Sequence, residues 1–243
     1  MKRKKVMLAL TACALASMVS LSGTMAYLAS TSSKTNTFTL ASGKTELEEP
    51  NWSEKAADHM VPCQTVAKDP KVTTTSTVPM LAFLEVKVPT KEFTHVAADG
   101  ERQASSVDTV FYCMNAAGDG KDTYNSNWLE LDSYYEDAAG KAGSTAVDGG
   151  YQVKVFGYTK AIVKNGDKNG ETESLFNYTQ LKNMLEGELT GTTQAIQVTQ
   201  YSIQAEYLTN AKTNKTITAT NGVYGKDDLK EALSMAKKDA VKN

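Results

Sequence analysis

The chain has 243 residues, enough for one folded domain behind a leader, and its hydrophobic fraction of 41% can furnish a core. With 26 basic and 28 acidic residues the formal net charge is -2, a field that does not draw the protein to nucleic acid or anionic lipid. No His-Glu-x-x-His helix, Gly-x-Ser-x-Gly elbow, phosphate loop or dinucleotide fingerprint occurs, so the sequence signatures of those enzyme classes are missing.

The first predicted element is a secretory signal peptide over residues 1–26. Lys2-Arg3-Lys4-Lys5 leads into an apolar stretch that begins at Val6 and carries Thr11, Cys13, Ser17 and Ser20, too polar for a permanent span. Ala26, with Thr24 two positions before it, suits a peptidase that reads small side chains, so cleavage is expected between Ala26 and Tyr27; Ala29 is the second choice. Leu10-Thr11-Ala12-Cys13 resembles a lipobox, but the apolar run continues well past Cys13. Loss of residues 1–26 removes four cations and no acid, leaving a mature charge of -6. The membrane is then engaged only through an uncleaved leader, and the expected location is extracellular matrix or cell surface.

Residues 27–36 are Ser/Thr-rich and almost uncharged, an extended arm by composition. Residues 37–225 carry strand signals. Phe38 to Ala41 and Thr45 to Glu48 are short strands about a Ser42-Gly43 turn. Met80 to Val88 is the clearest strand: the even positions are apolar throughout, while the odd side passes from Leu81 and Phe83 to an outward Glu85 and Lys87, with Pro79 and Pro89 as brackets. Val107 to Met114 suits a central strand, Trp128 to Leu131 is another, and Ala138 to Gly150 is a loop.

The apolar side changes phase within Tyr151–Ile162 and again within Ile196–Tyr207, which predicts β-bulges or corners where strands pass between two sheets. Ser174 to Gly187 predicts a short helix on Leu175, Tyr178, Leu181, Met184 and Leu185. Residues 226–243 predict a helical tail, acids first and bases last, loosely docked because most of its apolar stripe is alanine. The expected fold class is mainly β, a two-sheet sandwich with one or two short helices besides the leader.

Cys13 leaves with the leader, so Cys63 and Cys113 remain. An exported chain can bridge them, and two separate thiols, one in a loop and one in a core strand, is the other reading. His59, Cys63, His95 and Cys113 make the count for a structural zinc site, but their spacing fits no zinc module. Asn165-Gly166-Asp167-Lys168-Asn169-Gly170 begins like a calcium loop, yet Phe176 stands where a bidentate Glu belongs, so a hairpin turn is expected. Trp52, Trp128 and the Tyr134-Tyr135 pair are candidates for stacking on sugars. No cofactor, metal or catalytic residue is expected.

The order of motifs along the chain carries a resemblance. Behind the leader come Glu49-Pro50-Asn51-Trp52, Lys68-Asp69-Pro70, Val86-Lys87-Val88-Pro89, Val155-Phe156-Gly157-Tyr158, Gly170-Glu171-Thr172 with Leu175-Phe176, and Tyr201-Ser202-Ile203-Gln204-Ala205. Together they resemble the TasA/camelysin family of exported bacterial proteins. Cys63 departs from the pattern, and the charged tail lies outside it.

The resemblance implies a jelly-roll domain, maturation by a SipW-type signal peptidase, and assembly into biofilm-matrix fibres by N-terminal strand donation. The partner would be a second copy or another matrix protein. Asn36, Thr37, Phe38, Thr39 and Leu40 are then the candidate self-assembly arm. The camelysin branch implies a cell-surface metallopeptidase as the rival, and the aromatic candidates imply a polysaccharide-binding module as a third reading.

Overall fold

The computed structural model describes residues 44–189, 194–210 and 214–240. The predicted leader, the cleavage pair Ala26 and Tyr27, the arm, and the Phe38 to Ala41 strand lie outside the described residues.

The described chain is mainly β, with several antiparallel sheets and one α-helix. In chain order the strands are β1 Thr45–Glu48, β2 Thr65–Ala67, β3 Lys71–Thr74, β4 Met80–Val96, β5 Arg102–Thr109, β6 Phe111–Met114, β7 Trp128–Glu136, β8 Ala142–Gly143, β9 Tyr151–Tyr158, β10 Gly170–Glu171, β11 Tyr178–Leu181, β12 Gln197–Gln204, β13 Thr209–Asn210 and β14 Lys215–Thr216, with helix α1 over Lys226–Ala240. The largest sheet runs β12-β4-β9-β7-β8, with β5 on the far half of β4. Two smaller sheets, β1-β3-β10 and β2-β11-β6, continue into one another. Backbone bonds from Lys68 N to Asn177 O, Leu175 N to Pro70 O and Thr172 N to Val72 O tie the β2–β3 segment to the β10–β11 segment.

The alternation of β4 decides the layering. Even residues Met80, Ala82, Leu84, Val86 and Val88 enter a core facing the smaller sheets, where Val72, Cys113, Phe156, Leu175 and Phe176 meet them. Odd residues Leu81 and Phe83 face a second core closed by α1 through Leu229, Ala232, Leu233 and Ala236. Small residues let the helix approach closely: a Cβ on Gly157 would stand 3.1 Å from Leu131 and 3.2 Å from Leu229. The expectation of a loosely docked tail is therefore corrected. Alanine in the stripe shortens the helix-to-sheet distance and is itself buried.

Other expectations change for physical reasons. Glu85 is buried beneath α1, not outward. Pro89 does not end β4, because the pairing partner changes there from β9 and β12 to β5. Val107 to Met114 is two strands turned at Val110, whose N–H bonds Pro89 O and whose carbonyl receives Lys182 N. The predicted Ser174 to Gly187 helix is instead β11 and its flanks; Leu175, Tyr178 and Leu181 share a three-residue spacing by coincidence, while Thr179 and Leu181 are buried in alternation. The phase changes in β9 and β12 are not bulges in those strands. Both are regular, and different layers cover their two faces at different points. The one bulge beside β9 lies in β7, where Leu131 is the extra residue between Glu130 and Asp132.

Candidate functional site

An edge strand offers a row of backbone donors and acceptors unless something covers or distorts it. Most edges here are protected. β6 is covered by its own following loop: Thr123 N bonds Cys113 O at 2.8 Å, and Asp122 accepts from Cys113 N at 3.0 Å. β5 carries a bulge over Gln103 and Ala104, where its register to β4 slips by one residue. β7 carries the Leu131 bulge and is capped at its end by β8. β1 and β10 are short.

β12 differs. It pairs with β4 over eight residues without a register shift. Met80 exchanges both backbone bonds with Ile162, on the β9 side, so even residues of β4 point their amides toward β9 and odd ones toward β12. Leu81, Phe83, Glu85 and Lys87 therefore bond Ile203, Tyr201, Thr199 and Gln197, and the amides and carbonyls of Val198, Gln200, Ser202 and Gln204 face away from the sheet. Among the described residues no backbone group meets this outer row. The start of β1 lies beside it: Thr45 Oγ1 is 2.6 Å from Ser202 Oγ, and Gln200 Nε2 donates to Thr45 Oγ1 at 2.7 Å. Lys44 and Thr45, where the described chain begins, thus stand next to β12.

Four lysines, each held between a carboxylate and an aromatic ring, fasten the surroundings. Lys68 pairs with Glu49 and lies 4.7 Å from the Trp52 ring centre; Lys154 pairs with Asp122 and lies 5.0 Å from that of Tyr124. Lys182 pairs with Asp108 beside Tyr112, and Lys237 pairs with Glu85 beside Tyr201. Lys154 holds the loop that covers β6, Lys182 ties the β5–β6 corner, and Lys237 ties α1 to the large sheet. The ring supplies a second partner for a cation that the sheet has partly desolvated.

Sequence-predicted candidates fall as follows. Cys63 is exposed in a turn at positive φ, Cys113 is fully buried, and both are free thiols. β11 lies between them, for Cys63 N bonds Leu181 O while Cys113 pairs with Thr179, so they stand two strand spacings apart, roughly 9.5 Å and beyond disulfide reach. The candidate Cys63–Cys113 bridge is therefore corrected. Burial pushes the Cys113 thiol well above its ordinary pKa, and the buried Tyr124 phenol likewise, which keeps both neutral.

His59 is almost fully exposed, whereas His95 lies 3.7 Å from Asp108; among the described residues no group of three or more His, Cys, Asp or Glu side chains is placed to hold a metal. Asn165 and Lys168 close a hairpin turn with paired backbone bonds of 3.0 and 3.1 Å. Trp128 is buried, its indole N–H donating to Glu173 O at 3.0 Å, so it offers no face to a sugar. Trp52 stays partly exposed above Lys68.

The alternation Gln200, Ser202, Gln204 against Tyr201 and Ile203 marks β12 as a strand with one polar face, but nothing in it marks an edge. Comparison with protein families, curated proteins and solved structures finds no match for this chain.

Proposed function

We propose that this chain is an exported structural protein of an extracellular biofilm matrix, a jelly-roll domain that assembles with further copies when the N-terminal arm of one adds as a strand to the next. The observation that carries the reading is β12: a regular edge strand, paired on one side only among the described residues, with Thr45 at the start of β1 bonded to its Ser202 side chain. Main-chain bonds to such an edge give affinity, and a Thr-rich, uncharged segment is a suitable donor. The order of family-like motifs and the leader support export, with a SipW-type peptidase releasing the arm.

The test uses the secreted, processed protein. N-terminal sequencing is expected to begin near Tyr27, and electron microscopy to show filaments. Deleting 27–36, replacing Thr37 and Thr39 with proline, or placing proline at Ser202, whose amide faces outward, is each expected to abolish filaments and leave a folded domain. Filaments from the 27–36 deletion and from Ser202→Pro would overturn the reading. So would metal-dependent proteolysis by the pure protein, or saturable glycan binding by a monomer that never polymerises.

A further inference from the structure

The tail helix, which lies outside the family-like motifs, bears on this edge. An edge strand held by a single ladder frays, and an acceptor that frays must be ordered by its incoming partner at the expense of affinity. β12 is braced on both faces instead. On the face toward the smaller sheets, Thr45 holds Ser202 and Gln200. On the opposite face, Ile203 packs in the core that α1 closes, and the Lys237 ammonium spans two strands at once. It donates to Glu85 of β4 at 2.5 Å and lies 5.1 Å from the ring centre of Tyr201 in β12. Glu85 stands opposite Thr199, so Lys237 straddles the ladder that fixes β12 to the sheet.

We infer that α1, through Lys237, is a clamp that preorganises β12 as the acceptor for an extended strand from a second copy of this chain. Lys237 is a positioning residue. It leaves the outward row of Val198, Gln200, Ser202 and Gln204 untouched and acts on the inward bonds that keep that row straight. The inference rests on the strand-addition reading for its consequence, and its structural half stands alone.

The experiment measures amide exchange of Thr199, Tyr201 and Ile203, the residues whose amides face β4, in the processed chain below its assembly concentration. Lys237→Met keeps the side chain's length and removes its charge, and Glu85→Gln with Lys237→Met avoids leaving a buried carboxylate alone. Both are expected to speed exchange at these three amides about tenfold, with the even-numbered β4 amides that face β9 unchanged and Lys237→Arg restoring the parent rate. The filament threshold concentration should rise in the same two variants and return in Lys237→Arg. Unchanged exchange in β12, or uniform acceleration across β4 and β12 alike, would overturn the clamp. If β12 loosens as expected while assembly is unaffected, the clamp holds and β12 is not the acceptor, which overturns its role in preorganising one.

Discussion

Lys68 reaches nineteen residues back along the chain to hold both carboxylate oxygens of Glu49, at 2.7 and 2.9 Å. The residues beside them repeat the connection: Asp69 accepts from the backbone N–H of Asn51 at 2.9 Å and from its side-chain amide at 2.7 Å. The Glu49-Pro50-Asn51-Trp52 and Lys68-Asp69-Pro70 motifs are therefore two halves of one fastening, which pins the segment after β1 to the segment between β2 and β3 and places the Trp52 ring over the ammonium.

Breaking that fastening from one side leaves a charge in a site largely shielded from water. Lys68 and Glu49 side chains are only 7% and 20% exposed, so Lys68→Met alone is expected to cost about 1–3 kcal/mol. Glu49→Gln combined with Lys68→Met should cost less than the single change. Denaturant melts of the three proteins decide it; equal losses for single and double variants would mean that the pair is solvated in solution.

The two faces of β4 make a second prediction. Leu84 is fully buried between the sheets, and Leu84→Ala should cost about 2–5 kcal/mol. Glu85→Ala should also destabilise, by about 1–3 kcal/mol, because Glu85 is buried under α1 with Lys237 as its partner. A neutral Glu85→Ala would mean that the helix does not cover that face.

The core face of β4 was readable because a strand's period is two and every even residue from Met80 to Val88 is apolar. Its continuation past Pro89 was not, since a proline ends a strand only where its missing N–H was needed. At Pro89 that N–H would point to the β12 side, and β12 stops pairing at Lys87. The burial of Glu85 was hidden for a different reason: the cover comes from a helix some 150 residues later, and nothing local to Glu85 announces it. Leu175, Tyr178 and Leu181 misled because a three-residue apolar spacing fits a helix until the buried Thr179 is known. The open edge of β12 is a property of what fails to pair with it, which a single strand's sequence does not encode.

Gly157 supplies a third prediction, aimed at helix docking. An added methyl would press on Leu131 and Leu229 at 3.1 and 3.2 Å, so Gly157→Ala should cost about 1–3 kcal/mol. The loss should be concentrated in α1, seen as faster amide exchange in the helix than in β9. If α1 is as protected as in the parent, the helix has room to shift and the close approach is not needed for docking.

Alkaline pH is expected to weaken the fold, and the sign follows from which state keeps its protons. Burial, reinforced by Glu85 and Glu136, pushes the Tyr134 phenol up to about 12, and burial also raises Tyr112, Tyr158 and Tyr224. A side-chain hydrogen bond to Glu136 raises Lys87 in the same sense. In the unfolded chain the phenols titrate near their ordinary value of 10.0, so above that pH the unfolded state holds fewer protons than the folded one and gains free energy from losing them. The stabilisation is fully present below the unfolded values and is lost as pH rises through the folded ones, from about 10 to about 12 for Tyr134. Tyr134→Phe should flatten part of that decline, because the phenol that resists ionisation is gone while the ring remains. Denaturation midpoints measured across this window in both proteins give the answer: parallel declines would show that Tyr134 ionises as easily folded as unfolded, and that the helix-covered face admits water.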